Sequence, residues 1–123
     1  MITEDYVSFE VAKLLEEKGF NEPTWTRYED NDEVIFGDKY NWNNSPMGQT
    51  SAPIHQVAMK WLREKGIECV VIPIWNTTGK QYRSYVLSDL GDKYKDNYDS
   101  YSDNISYEEA VEAALRYSLE NLI

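Results

Sequence analysis

Apolar residues recur at helical spacing in three stretches of the chain and in strand-like runs between them. In SFEVAKLLEEKG, Val11, Leu14 and Leu15 share a face with Ala12 at its edge, while Glu10, Lys13, Glu16 and Glu17 fall elsewhere. Ser8 before this run has N-cap chemistry, and Gly19 after it suits a left-handed stop. Phe9 lies off the stripe and is expected to pack locally.

The pattern returns in APIHQVAMKWLREKG, where Ile54, Val57, Ala58, Trp61 and Leu62 follow the i, i+3, i+4, i+7, i+8 rule. Pro53 suits the first turn, and Gly66 ends the helix. In SYEEAVEAALRYSLENLI, Tyr107, Ala110, Val111, Ala114, Leu115, Ser118 and Leu122 line one face. Ser106 and Glu109 have capping-box spacing at its start.

Between the helices the period changes. Residues 24–28 and 34–36 read as strands of a hairpin turned by Asp30, Asn31 and Asp32. IECVVIPIW reads as a strand apolar on both faces, and QYRSYVL as its return after an NTTGK turn. Pro73 argues against a central place for the first of these, because proline cannot donate to a ladder. Residues 38–49 and 88–106 are polar and without period, so both are expected to be loops.

The expected architecture is one α+β domain over residues 1–123, in the order αββαββα. Two hairpins would form an antiparallel sheet of about four strands, with three helices packed mainly on one face. AKLLEEKG at 12–19 and MKWLREKG at 59–66 share lysine, leucine, glutamate and glycine at matching places. Duplication accounts for this, and so does the ordinary way helices end.

Charge narrows the partners. Twenty-two acids face 12 bases, for a net charge of -10. Such a field repels nucleic acid and anionic membranes. It favours solubility or a protein partner with a basic surface. MITEDYVSFE lacks the basic start and apolar run of a signal peptide. No apolar stretch reaches the roughly 20 residues of a membrane span, and the expected setting is cytoplasmic. The single cysteine, Cys69, excludes an intrachain disulfide and a cysteine-based zinc site.

Candidate chemistry is sparse. The lone histidine, His55, is expected one turn into the second helix, at the border of its apolar stripe, and reads as scaffolding or as a pocket residue. Asp92, Asp96, Asp99 and Asp103 miss the spacing of a calcium loop. No glycine-rich phosphate loop and no G-x-S-x-G elbow is present. No catalytic, cofactor-binding or metal-binding residue is therefore assigned, and no cofactor is expected.

The informative surplus is aromatic: ten tyrosines and four tryptophans. Such residues bury much area at low entropic cost, so they mark protein-binding patches. Trp25, Trp42, Tyr82, Tyr94, Tyr98 and Tyr101 form the candidate interaction surface. The competing reading is a small-molecule binder or enzyme with a pocket between sheet and helices, bearing His55, Asp38 or a tyrosine at its mouth. Weak self-association through an open sheet face or edge is a third.

EDYVSFEVAKLLEEKGFNEP, SAPIHQVAMKWLREK and SYEEAVEAALRYSLENLI together resemble a family of short proteins of gut Bacteroidales and their phage-like or other mobile elements. The resemblance spans nearly the whole chain and implies a stand-alone domain in that setting. The family has no established activity, so it carries no catalytic residues over.

Overall fold

A computed structural model of the protein describes residues 5–29, 33–77, 79–88, 95–99 and 106–123. The turn expected at Asp30, Asn31 and Asp32 lies outside them. The chain forms two compact units, residues 1–58 and 59–123.

The first unit begins with helix α1, Phe9–Glu17. Ser8 caps it as expected, its hydroxyl accepting from the Val11 N–H at 3.2 Å, and Gly19 takes φ 95 beyond its end. Val11, Ala12 and Leu15 are fully buried, so Ala12 lies inside the buried stripe rather than at its rim. Phe9 packs edge-on against Tyr28 at 5.4 Å, the local contact expected of a residue off the stripe.

Strands β1, Thr24–Tyr28, and β2, Val34–Tyr40, pair antiparallel with an irregular register between Thr24 and Thr26. A third strand, β3, is only Thr50–Ser51 and pairs with the other edge of β1, giving the order β2-β1-β3. The expected loop at 38–49 is therefore shorter. Its first residues extend β2, and Trp42–Asn44 forms a 3₁₀ turn. A two-residue strand is too short to show a period, so only its pairing reveals it.

The inward side chains of β1 are polar but satisfied. Thr24 Oγ1 donates to the Thr26 carbonyl at 2.7 Å, and Thr26 Oγ1 donates to the Ala52 carbonyl. The Tyr28 hydroxyl donates to the Val7 carbonyl at 2.6 Å. In β1 the threonines thus avoid the cost of unpaired buried hydroxyls, whereas the buried Thr50 hydroxyl of β3 has no partner among the described residues.

Helix α2, His55–Arg63, runs through the division between the units. Ala58 and Leu62 are fully buried, but Trp61 is half-buried and Val57 is 38% exposed. Its buried seam is thus narrower than the sequence stripe. Trp61 carries the Lys65 ammonium 4.4 Å from its ring centroid, an amphipathic position rather than a core one.

The second unit is built on a long hairpin, β4 (Ile67–Asn76) and β5 (Gly79–Ser88), in continuous register from Ile67 opposite Ser88 to Asn76 opposite Gly79. Gly79 takes φ 120 at the turn, a conformation that a side chain would strain. Strand β6, Lys95–Asp99, pairs with β5, so the order is β4-β5-β6. Pro73 accordingly sits on an edge strand, where every second backbone nitrogen points away from the ladder.

The strand at Lys95–Asp99 corrects the expected loop over 88–106. The sequence KDNYD has no apolar alternation, and backbone pairing alone creates the strand. The expected single sheet of about four strands is likewise replaced by two antiparallel sheets of three strands each. Apolar periods mark strands but do not choose their neighbours. In the first sheet the leading hairpin strand is central, and in the second the returning one is, so the two halves add their third strands differently.

Helix α3, Tyr107–Asn121, packs on β4 and β5. Ser106 caps it, its hydroxyl accepting from the Glu109 N–H at 3.1 Å. Ala110, Val111, Ala114, Leu115, Ser118 and Leu119 are buried, whereas Tyr107 is 44% exposed. Leu119, not Leu122, completes the stripe.

Candidate functional site

A groove in the first unit gathers residues that the sequence leaves scattered. The segment before α1 runs beside the start of α2. The Val7 N–H donates to the Pro53 carbonyl at 3.0 Å, and the His55 N–H to the Asp5 carbonyl at 2.9 Å. Tyr6 is thereby bridged to Ile54, and its ring meets Phe36 of β2 edge-on at 5.6 Å. Tyr6, Pro23, Trp25 of β1, Lys39 of β2, Ile54 and Val57 are among the residues that line the groove. Its volume is about 230 Å³.

The surroundings are aromatic and acidic. Trp25 is 62% and Phe36 is 68% exposed, so water covers most of both rings. Asp5, Glu22 and Asp38 are exposed and stand next in sequence to the lining residues Tyr6, Pro23 and Lys39. Residues 1–58 hold 11 acids and four bases, net −7, whereas residues 59–123 hold 11 acids and eight bases, net −3.

The groove's side-chain polar atoms divide in two. The Thr24 and Thr26 hydroxyls donate internally. Among the described residues, the Trp25 indole N–H, the Tyr6 hydroxyl and the Lys39 ammonium make no hydrogen bond or ion pair. The indole and ammonium can only donate, and the tyrosine hydroxyl can donate or accept.

Trp42 has a different part. Its indole N–H donates to the Thr24 carbonyl at 3.1 Å, and its ring meets Tyr40 edge-on. The Arg27 guanidinium carbon lies 4.4 Å from the Trp42 ring centroid, while Arg27 Nε donates to Glu29 at 3.2 Å. Gly37 leaves room for this arginine, since a Cβ there would fall 2.6 Å from its Nη1. Hydrogen bonds from the Gln49 amide and from Arg27 hold the Glu29 carboxyl below the usual carboxylate range.

Among the other sequence candidates, Tyr82 of β5 is half-buried and edge-on to Tyr107 at 6.0 Å, with the Lys80 ammonium 5.1 Å from its ring centroid. The backbone of Tyr98 in β6 pairs with Tyr85. Tyr94 and Tyr101 lie outside the described residues. Trp25 and Trp42 are on the first unit and Tyr82 on the second, so the six candidates do not form one patch within either unit.

His55 is 7% exposed, buried in the first turn of α2 rather than at the stripe's border, and it is absent from the groove lining. Burial pushes the Cys69 thiol up to about 11, which keeps it protonated and unreactive at neutral pH. Among the described residues no three histidine, cysteine or acidic side chains are placed to hold a metal ion. Asp92 and Asp103 lie outside those residues. No helix among the described residues is long and apolar enough to cross a membrane.

Sequence reasoning singled out Trp25 but missed Tyr6, Phe36 and Lys39. Tyr6 precedes any periodic segment, and Lys39 fell in the expected loop. Only Phe36, an apolar residue closing a predicted strand, carried a signal. No protein-family model, curated protein or solved structure matches the chain.

Proposed function

We propose that the protein is a non-enzymatic accessory domain that binds a protein partner with a basic surface through the groove face of residues 5–58. The observation that carries this reading is Trp25, 62% exposed at the groove, in a unit of net charge −7. An indole left in water gains by being covered. Exposed aromatic anchors of this kind dominate protein interfaces. Nearby carboxylates raise the encounter rate with cations and penalise acidic competitors.

The groove's size favours this over a small-molecule enzyme. At about 230 Å³ it is smaller than the roughly 300–1,000 Å³ of ligand pockets, and His55 is not in its lining. The resemblance to mobile-element proteins supplies a setting: a cytoplasmic encounter with a basic host or phage protein, one whose own cations normally face nucleic acid.

An array of immobilised peptides of graded charge tests the proposal. Retention is expected to favour lysine- and arginine-containing peptides at low salt and to fall as salt rises. Trp25→Ala is expected to reduce it at least tenfold. Retention indifferent to peptide charge, or unchanged in Trp25→Ala, overturns the reading.

A further inference from the structure

We propose that the groove takes an extended, proline-containing segment of its basic partner, held in the polyproline II form with lysine or arginine beside the prolines. This rests on the protein-binding reading above and adds the chemistry of the bound segment. The groove's own polar side chains choose it. The threonine hydroxyls spend their protons on carbonyls within the protein. The Trp25 N–H, the Tyr6 hydroxyl and the Lys39 ammonium remain as donors without a partner among the described residues. A ligand suited to them offers acceptors and brings few donors of its own.

A polyproline II segment has that character. It makes no internal hydrogen bonds, so its carbonyls stay open, and each proline lacks an N–H. Its rings pack on aromatic and proline surfaces, which Tyr6, Trp25 and Pro23 supply here. Its preformed backbone also loses little entropy on binding, which an open groove of this volume requires.

The cations belong outside the apolar contact. Asp5, Glu22 and Asp38 are exposed and stand next in sequence to three lining residues, whereas Lys39 is the lining's single charge. A lysine flanking the prolines meets the carboxylates, and Lys39 turns to a peptide carbonyl. An acidic proline-rich segment would meet the repulsive field of a unit of net charge −7.

Isothermal titration calorimetry of the full chain against three synthetic peptides tests this. The first repeats Pro-Pro-Lys four times, the second has serine for every proline, and the third has glutamine for every lysine. The first is expected to bind at least tenfold more tightly than either control and to shift the Trp25 indole N–H signal in an ¹H–¹⁵N spectrum. Trp25→Ala is expected to lose that binding at least tenfold. Trp75→Ala, at the equally exposed Trp75 of β4, is expected to keep it.

Equal binding of the serine peptide overturns the proline assignment and leaves the basic-partner reading standing. Equal binding of the glutamine peptide overturns the basic-partner reading itself. Failure of all three peptides, with charge-selective and Trp25-dependent retention on the array, overturns the proline inference alone. Circular dichroism of both variants establishes that a lost signal is not lost folding.

Discussion

Burial, more than residue identity, sets the chemistry of single side chains here. Cys69 is 4% exposed, with Ser118 Oγ 3.7 Å from its sulfur. A thiol in an unfolded chain ionises near about 8.5, but in the fold it is pushed up to about 11. Folding thus favours the protonated form, whose stabilising effect is complete below the lower value and lost as pH rises through the higher. The urea midpoint is expected to fall between pH 8.5 and 11, with a full cost of about 3 kcal/mol, and Cys69→Ala is expected to lack that part of the fall. Glu29 goes the other way. Gln49 and Arg27 hold its carboxylate form, so its titration followed by NMR is expected to lie below that of an ordinary glutamate and to move up in Gln49→Ala. In sequence His55 was legible only as scaffolding or a pocket residue. Its burial was not, since the segment at residues 5–7 that runs beside it carries no periodic signal.

Helices and long hairpins follow from local grammar. The Ser8 and Ser106 caps, the Gly19 and Gly79 left-handed positions and the β4–β5 hairpin all stand where spacing predicts them. Ser106→Ala is expected to cost about 1 kcal/mol in chemical denaturation, from the loss of the Glu109 N–H bond. Pro73 stands on an edge strand of ten residues, and a proline there removes a backbone donor that a second copy would pair with. Pro73→Val restores that N–H and is expected to raise self-association measured by light scattering across concentration; an unchanged monomer would rule out an edge-guarding role. Strands β3 and β6 escaped local grammar for one reason. Thr50–Ser51 is too short and Lys95–Asp99 too polar to show a period, and each is a strand only because a neighbour accepts its backbone.

Across the molecule, charge is unevenly shared, with −7 in residues 1–58 and −3 in residues 59–123. Converting Asp5, Glu22 and Asp38 together to their amides is expected to flatten the salt dependence of peptide binding while shifting folding stability by under about 1 kcal/mol, because all three are exposed. A parallel loss of binding and folding would mark them as structural instead. By itself the sequence determined the α+β class, the three helices with their caps, the two hairpins and an acidic, aromatic-rich character. These rest on spacing and composition, which act over a few residues or over the sum of all. The tertiary structure alone decided that the strands form two sheets, that Val57 and Trp25 face water, and that Tyr6 and Lys39 join Trp25 around one groove. Those outcomes depend on which distant backbones pair, and a period along the chain holds no information about distance across it.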